Sequence, residues 1–225
     1  HAYHRRQRQM CIRDRIISEF LGMMILTMGV VGSGIMAENI SQGLEGLTLL
    51  INSLATVGIL IVIIMTFRSI SGAHFNPAVS LSFYMQGTLN KTDFFNYVVT
   101  HIIAGITGVI FVHTMFDMPL IEMSTKNRAG LNIMFSEVIA SFLLVFIICM
   151  SQKRDDVSMG VLVGVYIGAG YFFTSSTSFA NPAISIARSL SDTYTGIYFM
   201  NVPQFIISQL IGAFIATKLY EYIRS

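Results

Sequence analysis

Two Asn-Pro-Ala triplets, Asn76-Pro77-Ala78 and Asn181-Pro182-Ala183, are the residues whose types and spacing in this chain could act on another molecule. Asn is a favoured helix N-cap, and proline suits the first helical turn, where its missing N–H removes no helical bond. The triplets therefore predict short helices over about 76–85 and 181–190. Neither is long enough to cross a bilayer, but two of them entering from opposite faces can meet at their N-termini near its centre. There the amides of Asn76 and Asn181 can donate hydrogen bonds to an oxygen on a passing solute, while two positive helix ends, each worth roughly half an elementary charge, discourage cations and a continuous proton wire. The chemistry implied is passage of neutral, hydroxyl-bearing molecules. Bond-making chemistry has no support, because the sequence holds no nucleophile-base pair, phosphate loop or metal-ligand spacing; no enzymatic activity, cofactor or metal is expected.

The elements needed to hold such a site are written in the composition. Of 225 residues, 53% are hydrophobic and 12% charged, and the mean hydropathy is +0.66, too apolar for an ordinary soluble domain. Apolar runs long enough to span a bilayer at about 20 residues each occur over about 16–37, 50–68, 94–116, 131–150, 157–174 and 202–222. The first fifteen residues, "HAYHRRQRQMCIRDR", depart from this pattern and are expected to be foreign to the channel unit at 16–225. They carry five of the 14 Lys and Arg and one of the 12 acids, which leaves the remainder at net −2, so the nominal positive charge does not point to nucleic acid. Cys11 and Cys149 form no disulfide framework.

A cytoplasmic N-terminus places Arg68, Lys91, Lys153, Arg154, Lys218 and Arg224 inside and Lys126, Arg128 and Arg188 outside, in agreement with the positive-inside rule. The chain also repeats itself. "SEFLG" at 18–22 returns as "SEVIA" at 136–140, and "VVTHIIAGITG" at 98–108 as "IISQLIGAFIA" at 206–216, with the triplets in order between them. Three spans per repeat, over about 16–116 and 131–222, force the halves into opposite orientations, and inverted repeats with interrupted helices point to a transport site at the midplane. The fold class expected is an all-α membrane protein of six transmembrane helices plus two re-entrant half-helices.

In "SEFLG", "SGAHFNPAVS", "FANPA" and "SQLIGAF", taken in order, the chain from about residue 16 resembles the aquaporin, or major intrinsic protein, family of water and glycerol channels. The resemblance implies a right-handed six-span bundle in the cell membrane, a bacterial inner membrane, assembled as a homotetramer with one pore per subunit and both termini cytoplasmic. It places the outer constriction at four positions: Thr56, twenty before Asn76; Ala169, twelve before Asn181; and Ser178 and Ile184, three either side of Asn181. Water-selective members carry an aromatic, a histidine, a small residue and an arginine there. With Thr, Ala, Ser and Ile, the expected filter is wide and weakly polar, suited to polyols and to neutral metalloid hydroxides such as arsenite as well as water. The run at 173–197 is also similar to a bacterial subgroup with an aliphatic residue after the triplet.

Arg188, four residues after Ile184, falls on nearly the same helix face one turn farther out. It either lines the outer vestibule or caps the half-helix C-terminus beside Asp192. Glu19 and Glu137 occupy equivalent intramembrane places; the resemblance makes them braces for the loops leading to the half-helices, and proton coupling is the rival role. His74 is open between bracing and lining the cytoplasmic mouth, and His101 and Gln209 match across the repeat as interhelical hydrogen-bonding groups. His113 is expected to be solvated at the end of its span. Gly160, Gly164 and Gly168 predict close helix packing. The leading expectation is a passive facilitator of small uncharged solutes. Its rivals are a water-selective channel, a proton-coupled transporter and a non-conducting junction protein.

Overall fold

The computed structural model describes residues 11–225, which are helical apart from their connections. In chain order the helices are α1 (Ile12–Ser41), α2 (Glu45–Ser71), the short α3 (Pro77–Met85), α4 (Lys91–Met115), α5 (Leu131–Met150), α6 (Asp156–Phe173), the short α7 (Pro182–Arg188) and α8 (Val202–Arg224), with a 3-10 turn at Phe199–Asn201 before α8. Among the described residues, six elements are long and apolar enough to cross a membrane. Of the stretch 1–15 set apart on sequence, residues 1–10 lie outside the described residues. The rest enters α1, where Arg15 pairs with Asp93 (3.1 Å) and its Nε donates to the Tyr97 hydroxyl (3.1 Å).

Local chemistry sets several boundaries. Asn90 and Asp155 cap α4 and α6 by accepting the amides of Asp93 and Ser158, each at 2.9 Å. Gly72, at φ 99°, ends α2 in the left-handed conformation that glycine adopts without strain, and its N–H returns to the Arg68 carbonyl.

The two repeats pack alike. Helix α1 lies against α2 and α4, α5 against α6 and α8, and α2 joins the halves by packing on α6. Each half-helix crosses over: α3 packs on α8 and α7 on α4, and the two touch each other. The glycine stripe of α6 faces α2, where a β-carbon at Gly164 would stand 3.0 Å from the Val57 carbonyl oxygen and one at Gly160 the same distance from that of Ile61. Hydrocarbon supplies no hydrophobic drive for helices to associate, so this close backbone approach and its van der Waals contact hold the halves together.

Polar groups lie inside and apolar groups outside. Glu19, Glu137, His101, His113 and Gln209 are fully buried, whereas Phe135, Leu54 and Ile211 are exposed, as suits a lipid surround. His113 is therefore not solvated as expected. Its ring nitrogens meet the Pro119 carbonyl (2.6 Å) and the Ser191 hydroxyl (2.8 Å), because the connection between α4 and α5 folds back over the helix end. That connection runs beside the segment after α7, with backbone bonds from Glu122 to Leu190 (3.1 Å), Ser124 to Ser189 (2.9 Å) and Tyr198 to Lys126 (2.7 Å).

Candidate functional site

The site grows from the two loops that end at the triplets. Backbone at 72–76 and 177–181 is non-helical, and its polar groups need partners away from water. Glu19 of α1 supplies them in the first loop, accepting the amides of His74 (3.0 Å) and Phe75 (2.8 Å). Glu137 of α5 accepts the equivalent amides of Phe179 (3.0 Å) and Ala180 (2.9 Å). The same pattern of strain accompanies both: Ala73 and Phe75 have φ of 53° and 47°, and Ser178 and Ala180 have 51° and 47°. Non-glycine residues in that region cost of order 1–3 kcal/mol each and persist only where surroundings over-determine them. The two carboxylates do that here, and neither is among the residues lining the cavity.

At the triplets, Asn76 Oδ1 accepts the Ala78 amide at 2.8 Å, and Asn181 Oδ1 accepts those of Ala183 and Ile184 at 3.0 and 3.3 Å. The carboxamide nitrogens cross the molecular pseudo-symmetry. Asn76 Nδ2 donates to the Ala180 carbonyl (2.7 Å) and Asn181 Nδ2 to that of Phe75 (2.8 Å). An NH2 group has two donors, so each asparagine is fixed by one N–H and keeps a second. Both side chains line a cavity of about 470 Å³. Pro77, Ala78, Pro182 and Ala183 are buried beneath them and form the first turns of α3 and α7.

The cavity has two kinds of wall. One is the loop backbone with its asparagines, over 72–76 and 178–181; the other is aliphatic, including Leu26, Val30, Leu60, Leu144, Val163 and Ile167. His74 lines it near one end while its Nδ1 meets Ser80 Oγ at 3.0 Å and its ring lies 4.5 Å from that of Phe83, so bracing and lining fall to the same residue.

Of the four positions expected at the constriction, Thr56, Ser178 and Ile184 line the cavity and Ala169 does not. Ala169 is exposed on the outer face of α6. The buried positions of that helix run 159, 160, 163, 164, 167, 168, 170 and 171, and a residue two before Tyr171 falls about 200° round the helix from it. Counting twelve back from Asn181 therefore lands on the wrong face. Tyr171 stands at the cavity instead, its hydroxyl 3.1 Å from Thr56 Oγ1, and puts an aromatic ring where none was expected. The Ser178 hydroxyl is buried without a hydrogen-bond partner, against the backbone of Gly170, where a β-carbon would approach it to 2.7 Å.

Arg188 lines the cavity and is 3% exposed. Its guanidinium carbon sits 3.4 Å from the centroid of the Phe179 ring and its Nε donates to the Thr195 carbonyl. Pairing with Asp192 does not occur, because the amide and hydroxyl of Thr125 occupy that carboxylate at 2.9–3.3 Å. Arg128, which sequence reasoning did not single out, lies 5.2 Å from the same Phe179 ring. Its one signal was membership of the three cations assigned to a single side.

A model of the major intrinsic protein family matches residues 6–179. Aquaglyceroporin AqpS of Rhizobium meliloti (strain 1021) is 42% identical over 209 residues, which cover 93% of this chain and 89% of that protein. Aquaporin NIP6-1 of Arabidopsis thaliana is 24% identical over 213 residues, covering 92% and 68%. Among solved structures, the X-ray structure of the aquaglyceroporin from Plasmodium falciparum superposes with a TM-score of 0.70 over 93% of this chain and 96% of that one; at 19% identity this is a likeness of fold.

Proposed function

The chain belongs to the major intrinsic protein family of membrane channels, and we propose that it passes small uncharged solutes passively, polyols of glycerol type and neutral hydroxides such as undissociated arsenite together with water. The observation that carries this reading is the two-sided cavity in which Ile184, an aliphatic residue, stands three after Asn181. A polyol can turn its hydroxyls to the asparagines and loop backbone and its carbon skeleton to the Leu and Ile wall. Its lost hydration is then replaced group by group, where an ion would have to shed water without equivalent compensation. The 42%-identical relative, named an aquaglyceroporin, supports the same substrate class.

Selectivity on this reading comes from Thr56, Tyr171, Ser178 and Ile184 together, with Asn76 and Asn181 orienting the solute at the centre. The two half-helix N-termini oppose cation passage there. The proposed assembly is a homotetramer in the cell membrane, with both termini cytoplasmic and the Arg188 end outside. Positive charge retained in the short connections follows the inside rule with that orientation.

Tyr171 favours a second, narrower reading, since its ring takes room that an alanine would leave. Stopped-flow light scattering of proteoliposomes with water, glycerol, urea and arsenite separates the two. Glycerol and arsenite flux beside water is the expected result; movement of water alone would establish a water-selective channel.

A further inference from the structure

The mouth at the Arg188 end gathers three cations and gives none of them a carboxylate. Lys126 Nζ donates to the Tyr194 carbonyl (2.8 Å) and lies 4.5 Å from the centroid of that tyrosine's ring. Arg128 Nε donates to the Gly196 carbonyl (2.8 Å) and Nη2 to that of Tyr194 (3.4 Å). Arg188 Nε takes the Thr195 carbonyl between them. Three consecutive carbonyls and two ring faces, those of Tyr194 and Phe179, thus hold three side chains in place. Such partners orient a cation and satisfy some of its donors, but they carry no formal charge to cancel it. The acids of the neighbourhood are engaged elsewhere or act on Lys126 without pairing with it. Asp192 is held by Thr125, and Glu38 and Glu45 form no ion pair among the described residues. Burial, and then repulsion from Arg128 and Arg188, push the Lys126 ammonium below its ordinary value, against a weaker attraction from Glu38 and Glu45.

Donors are also left over. Among the described residues the two terminal nitrogens of Arg188 and Nη1 of Arg128 have no hydrogen-bond partner, and Arg188 borders the cavity. A guanidinium fork presents parallel N–H groups that match two oxygens of one anion. We propose that Lys126, Arg128 and Arg188 form a binding site for a small oxyanion at this mouth of the channel. The site rests on the channel reading above and adds a consequence to it. Beyond Arg188 the lining turns to Ile184 and the aliphatic wall, where the few donors of Thr56, Tyr171 and the asparagines replace an anion's water only in part and no counter-charge stands beside them. A bound oxyanion therefore stays at the mouth and obstructs neutral solutes in either direction, but it reaches its site from that face only.

Glycerol efflux is measured from proteoliposomes whose channel orientation is scored by protease access to the C-terminus, with inorganic phosphate added on one face at a time. Phosphate on the Arg188 face should slow glycerol saturably, several-fold more than chloride at equal ionic strength, and phosphate on the other face should not. Lys126→Gln and Arg128→Gln, each compared with its own phosphate-free flux, should each raise the half-blocking concentration about tenfold, the loss of one charge-assisted contact. Equal block by chloride, block from both faces alike, or unchanged block in both variants would overturn the site. If the wild type passes no glycerol even without phosphate, the channel reading fails instead, and titration calorimetry of the purified protein with phosphate decides the site alone: heat lost in the two variants supports it and no heat in the wild type overturns it.

Discussion

In the first half of the chain Glu19 holds the amides of His74 and Phe75 and is tied to His101 Nε2 at 2.8 Å; in the second, Glu137 holds those of Phe179 and Ala180 and is tied to Gln209 Nε2 at 2.6 Å. The left-handed residues fall at the same offsets from Asn76 and Asn181, one and three before each. Three after each asparagine stand Val79 and Ile184, both aliphatic and both lining the cavity. The halves part at the mouths. His74 lies against Phe83 at one, whereas at the other Arg188 lies against Phe179, so the basic and aromatic partners have exchanged places two before and seven after the asparagine. Bracing is thus duplicated while the mouth chemistry is not: the repeat preserves what holds the loops in a strained shape and varies what a solute meets on entering.

The strongest way to break this equivalence is to remove a brace. Glu137→Ala leaves the buried amides of Phe179 and Ala180 unpaired, each costing about 1–3 kcal/mol, and leaves Gln209 Nε2 with the Ser185 hydroxyl (3.0 Å) alone. Glu19→Ala does the same to His74, Phe75 and His101. Losses of about 3–5 kcal/mol are expected in either half, read as lower yield of folded protein and a lower melting temperature in detergent. A variant that melts normally but no longer conducts would instead give that carboxylate a direct part in transport, as the proton-coupled alternative requires.

Next in size is the aliphatic pair. Ile184→Arg adds a cation at the cavity wall three residues after Asn181 and is expected to reduce glycerol flux about tenfold or more, equivalent to at least about 1.4 kcal/mol of added barrier, while water flux falls less. Val79→Arg is the mirror experiment. If the mouths rather than the centre distinguish the halves, both substitutions should disfavour glycerol relative to water; an effect confined to Ile184 would locate selectivity in the second half alone. Tyr171→Phe is smaller. The Thr56 hydroxyl keeps its bond to the Asn52 carbonyl at 2.8 Å, so about 1 kcal/mol of stability and less than about a twofold change in glycerol flux are expected.

The six spans and both half-helices could be read from sequence because hydropathy and the Asn-Pro cap are local signals, and α5 and α6 lie within a residue of their expected ends. Asn76, Asn181 and Ile184 reach the cavity for the same reason: their places are fixed by short offsets within one helix turn. Ala169 does not, since its placement required counting through a loop whose length the helix face does not respect. Nor do the left-handed Ala73, Phe75, Ser178 and Ala180 announce themselves, because none is a glycine and their shape is imposed by carboxylates more than forty residues away. Arg128 belongs to this class too: it arrives at Phe179 only once the connection before α5 has folded back.

The smallest expected effect separates the two halves most finely. His101 and Gln209 each place a nitrogen on a carboxylate, and each leaves one buried atom without a partner, His101 Nδ1 and Gln209 Oε1. Those orphans are alike if the imidazole is neutral, donating from Nε2 and presenting a bare acceptor at Nδ1. On that assignment His101→Gln exchanges one donor-plus-orphan arrangement for another and should change stability by less than about 1 kcal/mol, well below the loss from Glu19→Ala. A charged imidazole would instead have an unpaired N–H at Nδ1 and a buried ion pair with Glu19, and substituting it would leave that carboxylate's charge without a counter-ion at about 3–5 kcal/mol. The melting temperature of His101→Gln beside that of Glu19→Ala therefore decides whether the first half is braced by hydrogen bonds, as the second is, or by charge.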